Sequence, residues 1–183
     1  MSEPHDSQRA WREKTAQPGG GYCPDCGGAL FFDYRGGERR PFCPACGFIR
    51  YRNPAVGVAT VIRDLEGRVL VGRRARGEHT GQWCIPCGYV EWDEEIRLAA
   101  ARECAEETGL DVEIGAVVAV HSNFHNRDKQ TVGVWFSAKV IGGDLRPADG
   151  EFTELGWFHP SRPPTPLAFP TDLIVLGQLA SDG

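Results

Sequence analysis

The chain has 183 residues, with 20 Lys and Arg against 25 Asp and Glu for a formal charge of −5. Apolar residues make up 41% and charged residues 25%, a balance that excludes a wholly disordered or collagen-like chain. No run approaches the roughly 20 apolar residues of a membrane helix, and the polar first twenty residues lack the apolar core of a secretory signal, so a cytoplasmic protein with no membrane partner is expected.

Residues 1–21 end in Pro18-Gly19-Gly20-Gly21 and read as a disordered tail. Residues 22–53 hold four Cys with many Gly and Pro, and five Arg face only Asp25, Asp33 and Glu38. From Pro54 the texture changes, and residues 54–183 read as one larger domain carrying the acidic excess. Ala55 to Arg63 predicts a buried strand, Leu65-Glu66-Gly67-Arg68 a turn, Val69 to Arg73 a second strand and Trp83 to Ile85 a short one. Glu94 to Thr108 is helical in composition and stopped by Gly109. Val112 to Phe124, Thr131 to Val140 and Glu154 to Phe158 predict further strands. Ser161 to Pro170 predicts a loop and Thr171 to Ala180 a closing helix. The alternation predicts a mixed α/β or α+β sandwich. The acidic excess disfavours nucleic acid as a bulk partner and suits a divalent cation.

Cys23-Pro24-Asp25-Cys26-Gly27 and Cys43-Pro44-Ala45-Cys46-Gly47 repeat one pattern, with sixteen residues between Cys26 and Cys43. Two-residue spacing lets both thiolates of a pair reach one ion, and the following Gly permits a tight turn whose amides can face sulfur. Two such turns at the ends of a hairpin give a tetrahedral Cys₄ zinc site, structural because no position stays open. About thirty residues cannot build an adequate core alone, so Zn²⁺ would supply on the order of 10 kcal/mol of folding free energy. Cys84-Ile85-Pro86-Cys87 has the same spacing but no partner knuckle and reads as two thiols in a strand-to-loop segment. Cys104 reads as helix packing.

The helix carries Arg102-Glu103-Cys104-Ala105-Glu106-Glu107. At about 100° per residue, Glu103, Glu106 and Glu107 share an arc of about 100°. Like charges this close repel. A solvated acidic face is the usual reading, but Ile96, Leu98, Ala99, Ala100, Ala101, Cys104 and Ala105 make the helix apolar almost all round. Clustered carboxylates on a largely buried helix call for cations, and hard oxygen ligands suit Mg²⁺ or Mn²⁺.

Gly88, five residues, Glu94, seven residues, Arg102-Glu103, then Glu106-Glu107 and Gly109 resemble the complete Nudix box. The wider resemblance, from about residue 22 to 180, is to a zinc ribbon followed by a Nudix domain. It implies an α-β-α sandwich with a mixed sheet, preceded by a small Cys₄ ribbon. It implies that Glu103, Glu106 and Glu107 hold catalytic Mg²⁺ or Mn²⁺, helped by the backbone carbonyl of Cys87. Arg102 would orient the carboxylates and Glu94 would support the loop–helix junction. Glu151 would be the late carboxylate before Trp157-Phe158, with Glu154 the alternative. The family usually has Gly or Ala at the position of Cys87.

The implied reaction is hydrolysis of a pyrophosphate joined to a nucleoside, a small-molecule substrate. Arg73 and Arg74 could grip phosphates. Phe124, Trp83, Trp135 and Phe169 could stack a base, although core packing is the simpler reading of each. His121-Ser122-Asn123-Phe124-His125-Asn126 does not match the signature that follows the box in NADH pyrophosphatases. Tyr51-Arg52-Asn53-Pro54, Gly81-Gln82-Trp83 and Leu167-Ala168-Phe169 are similar to zinc-ribbon members acting on ADP-ribose and FAD. The competing readings are a hydrolase of oxidised nucleoside triphosphates and a non-catalytic nucleotide- or RNA-binding module. Enzymes of this kind are often dimers, so a homodimer stays open.

Overall fold

The structure, a computed structural model, describes residues 17–124, 126, 129–148 and 150–181. The chain divides into two compact units, Met1–Asn53 and Pro54–Gly183.

In the first unit, β1 (Gln17–Tyr22), β2 (Ala29–Arg35) and β3 (Glu38–Phe42) form an antiparallel sheet in that order. Gly36 and Gly37, at φ 62° and 85°, make the tight turn between β2 and β3, which needs positive φ at both centres. Each Cys-Pro-x-Cys-Gly motif folds the same way. The carbonyls of Cys23 and Cys43 each accept from the Gly amide four residues on, at 2.9 Å, and their own amides donate five residues on. Gly27 and Gly47 adopt φ 71° and 82° to close these turns. The expected tail is corrected here: residues 17–22 form a strand that pairs with β2 through Gln17, Pro18 and Tyr22, with the three glycines in the irregularity between Pro18 and Tyr22. Residues 1–16 lie outside the described residues.

In the second unit, β4 (Ala55–Ile62), β5 (Val69–Arg74), β6 (Trp83–Cys84), β7 (Cys87–Tyr89), α1 (Ile96–Thr108), β8 (Leu110–Asn123), β9 (Thr131–Gly143), β10 (Phe152–Phe158) and α2 (Pro170–Ser181) follow in order. A four-stranded mixed sheet runs β7-β4-β9-β8, with β4 and β9 parallel, and a three-stranded one runs β10-β5-β6.

β4 reads as a continuous apolar run because both of its faces are covered. Val58 packs with Phe136, Ala99 and Ala100 on the α1 side. Ala59 and Val61 pack with Trp135, Val175, Leu176 and Leu179 on the α2 side. Small residues let α1 approach closely enough for the Thr60 hydroxyl to donate to the Ala100 carbonyl at 3.1 Å. This is the expected sandwich.

The helix starts two residues later than expected, since the Glu95 carboxylate caps it by accepting from the amides of Arg97 and Leu98. Gly109, at φ 73°, closes its C-terminus. The pairing strand β7 was not foreseen: three residues carry no usable periodicity, and its role is set by the register with β4.

Candidate active site

A cavity of about 470 Å³ lies in the second unit, and Arg74, Cys87, Gly88, Glu103, Glu151 and Asp172 are among its lining residues. α1 delivers its three carboxylates to different environments. Glu107 is 1% exposed, Glu103 is half-buried and Glu106 is exposed. Leu98 on the same helix is 66% exposed. The expectation of a helix buried almost all round is therefore corrected: Ala99, Ala100, Cys104, Glu107 and Thr108 are buried, and helix periodicity turns Leu98 and Glu106 outward.

Arg102 organises this corner. Its Nε and Nη2 grip both oxygens of Glu94 at 2.7 and 2.9 Å. Its Nη1 reaches Glu103 Oε1 at 2.9 Å and Glu106 Oε2 at 3.0 Å, and Nη2 also donates to the Tyr89 carbonyl at 3.1 Å. The fork, with the Glu91 amide, holds Glu94 down at about 2. Glu94 thereby ties the loop after β7 to α1.

Gly88 sits beneath the Glu103 carboxyl so closely that a Cβ there would lie 1.9 Å from Glu103 Cδ. Burial raises the Glu103 carboxyl above its ordinary value, partly offset by Arg102. Glu107 Oε2 accepts from the Cys87 amide at 2.8 Å, while its Oε1 is buried without a partner among the described residues. Burial, aided by the Cys87 thiol, Glu151 and Glu103, raises Glu107 well above the carboxylate range. A buried carboxylate with an idle oxygen, on the same helix as two more, supplies oxygen donors of the type a hard divalent cation takes, although the three do not converge as the four thiols of the first unit do.

Glu151 lines the cavity and pairs with Arg76, whereas Glu154 points to Arg73 at 3.9 Å. Arg74 also lines the cavity, with Nη1 3.9 Å from Cys84 Sγ and its guanidinium 5.5 Å from the Phe169 ring centroid. Arg73 is turned away, donating to the Gly81 carbonyl at 3.0 Å. Phe124 is 67% exposed and is not among the lining residues. Trp135 and Phe169 line the cavity instead, and Trp83 is core.

Sequence reasoning missed Arg76, Asp172 and the Cys87 amide. Asp172 accepts from the Ile85 amide at 3.1 Å and Trp135 Nε1 at 3.3 Å, and burial pushes it up to about 7. Its place as the third residue of a closing helix gave no signal.

In the first unit the sulfurs of Cys23, Cys26, Cys43 and Cys46 lie within 4.8 Å of one another, the one such ligand group among the described residues. Cys23–Cys46 and Cys26–Cys43 are 3.6 and 3.5 Å apart. A tetrahedral centre with metal–sulfur bonds of about 2.3 Å needs about 3.8 Å. The amides of Cys46 and Ala45 turn to the Cys43 thiol and, against burial, draw it down to about 7. These four residues can hold a metal ion.

The NUDIX domain model matches residues 53–175. The NAD-capped RNA hydrolase NudC of Stutzerimonas stutzeri is 30% identical over 139 residues, which are 75% of this chain and 48% of that protein. The ADP-ribose pyrophosphatase of Methanocaldococcus jannaschii is 33% identical over 101 residues, 54% of this chain and 59% of that one. This chain thus spans about half the length of these curated relatives. The crystal structure of a NUDIX hydrolase from Nitrosomonas europaea superposes with a TM-score of 0.75 at 32% identity, covering 88% of this chain and 91% of that one. With the glutamate-bearing helix, the Arg102 fork and the glycine under Glu103 in place, the match over residues 53–175 identifies the chain as a member of the Nudix hydrolase family.

Proposed function

We propose that the chain is a divalent-metal-dependent hydrolase that cleaves the pyrophosphate bond of a nucleoside diphosphate linked to a second moiety, with ADP-ribose or FAD favoured. The observation that carries this reading is the Glu103 carboxyl at the wall of a cavity large enough for a nucleotide, with the idle oxygen of Glu107 buried behind the lining residue Cys87. Glu103, Glu106 and Glu107, with the Cys87 carbonyl, would hold Mg²⁺ or Mn²⁺, which when bound offsets phosphate charge and lowers the pKa of water.

The protein's own groups supply the rest. Arg102 fixes the rotamers of Glu103 and Glu106, and through Glu94 it fixes the loop on which Gly88 sits. Arg74 faces the cavity as the phosphate-binding cation, which Arg73 cannot be while it points to Gly81. Glu151, oriented by Arg76, is the acceptor for the proton of the attacking water. The four thiols of the first unit would hold Zn²⁺ as a structural centre. Reduced thiols suit a cytoplasmic protein.

The test is a substrate panel with purified protein and Mg²⁺ or Mn²⁺. AMP as a product from ADP-ribose or FAD supports the reading. A nucleoside monophosphate plus pyrophosphate released only from triphosphates replaces it with the triphosphate hydrolase. No hydrolysis of any compound, with nucleotide still bound, leaves the non-catalytic module. NAD-capped RNA belongs in the panel because the Stutzerimonas relative carries that name.

A further inference from the structure

One row of the four-stranded sheet has glycine at both of its central positions. Register pairs Tyr89 with Gly57, Gly57 with Gly133 and Gly133 with His121, so these four positions cross β7, β4, β9 and β8 in line. Residues paired in register share a face, and this face is the one that carries Cys87, Ala59 and Trp135 in the next row. Tyr89, Gly57, Gly133 and Trp135 all line the cavity.

The two glycines differ. A Cβ at Gly133 would strike the Trp135 ring at 2.7 Å, so this glycine lets the indole lie over the backbone. A Cβ at Gly57 would meet only the Gly88 carbonyl at 3.5 Å and the Val132 carbonyl at 4.0 Å. Among the described residues nothing demands glycine at 57, and its effect is to leave the space over this position open. Tyr89 walls one side, held by Lys129 Nζ at 4.2 Å from its ring centroid.

Asn123 stands one row on. Its Nδ2 donates to Thr131 Oγ1 at 2.8 Å, which turns Oδ1 away from that strand. Asn123 lines the cavity, and its Oδ1 is buried without a partner among the described residues. A desolvated acceptor beside this open space calls for a donor on a planar group. The space lies two residues along β7 from Cys87, whose amide holds Glu107, so a ring placed there leaves the phosphates of the same molecule near the carboxylates.

We propose that the open position over Gly57, walled by Tyr89 on one side and by the Trp135 indole over Gly133 on the other, and read by Asn123 Oδ1, is the base-specificity subsite, and that it takes a nucleobase carrying an exocyclic amine. This rests on the reading of the cavity as a nucleotide site. A base offering a carbonyl at that edge sets acceptor against acceptor and is rejected.

Equilibrium binding of AMP and IMP to the full chain tests this without any need for hydrolysis, since IMP replaces the 6-amine by a carbonyl and the N1 acceptor by an N1–H. AMP binds about tenfold more tightly in the wild type, the scale of one buried hydrogen bond. Asn123→Leu, and independently Thr131→Val, which releases the amide from its anchor, bring the ratio to within about twofold. Gly57→Val, which fills the space, weakens both ligands. Equal binding of AMP and IMP by the wild type, a ratio unchanged in a folded Asn123→Leu, or no binding of either nucleotide overturns the proposal. Failure of every compound in the hydrolysis panel, with the AMP preference intact, overturns the catalytic reading and not this one.

Discussion

Replacing Glu107 by Gln separates what the fold needs from what the site needs. The carboxylate is 1% exposed, one oxygen is held by the Cys87 amide, and the other has no partner among the described residues. Gln keeps the shape and an oxygen for Cys87 while removing the charge. At a pH high enough to ionise the folded carboxyl, a buried charge short of one partner costs about 1–3 kcal/mol, and the Gln amine keeps part of that cost. A net gain of about 1–2 kcal/mol raises the melting temperature of a domain this size by about 3–8 °C.

The sign with pH follows from the raised carboxyl. A folded-state pKa above the unfolded value gives stability that is present below the unfolded value and lost as pH rises through the folded one. The wild type without metal therefore loses stability as pH rises through that range, and Glu107→Gln loses less. Divalent metal reverses the order: at a hundredfold excess over its dissociation constant it adds about 2.7 kcal/mol to the wild type, and much less to a variant missing one ligand. Thermal melts with and without Mg²⁺ across pH read all of this. A Glu107→Gln protein that at such a pH melts below the wild type without metal, or that gains as much from Mg²⁺, refutes the reasoning.

Arg102→Lys cannot form the fork to Glu94, and loss of the ordered corner lowers turnover about a hundredfold. Glu94 is held at about 2, a depressed value whose stabilisation is present above the ordinary carboxylate range and lost as pH falls towards 2. The variant therefore unfolds at higher pH in an acid titration, and an unchanged acid midpoint contradicts the pairing. Gly88→Ala places a methyl where the Glu103 carboxyl lies and lowers turnover about a hundredfold; steady-state kinetics with a normal melting curve check it. Cys43→Ser removes the metal from a wild type that carries about one zinc per chain, read by elemental analysis, and equal zinc in both proteins refutes the tetrathiolate centre.

The box and the paired knuckles made the family and the acidic helix legible, because both depend on fixed spacings of side chains. The apolar runs at Ala55–Ile62 and Val69–Arg74 likewise announced strands. What escaped was carried by backbone and register. The partner of Glu107 is an amide, so no residue type at position 87 discloses it. Composition gave α1 as buried almost all round, whereas periodicity exposes Leu98 and Glu106. Residues 17–22 looked like a tail because three glycines interrupt the strand between its paired residues Pro18 and Tyr22, leaving no apolar alternation to read. The choice of Arg74 over Arg73 and the glycine row at Gly57 and Gly133 depend on strand register, which no local window contains.

The most direct measurement is the initial rate of AMP release from ADP-ribose in Mg²⁺, for the wild type and Glu103→Gln at matched folded concentration. The carboxylate account predicts metal-dependent release by the wild type and a fall of at least about a hundredfold in the variant. A Glu103→Gln enzyme releasing AMP at the wild-type rate contradicts it.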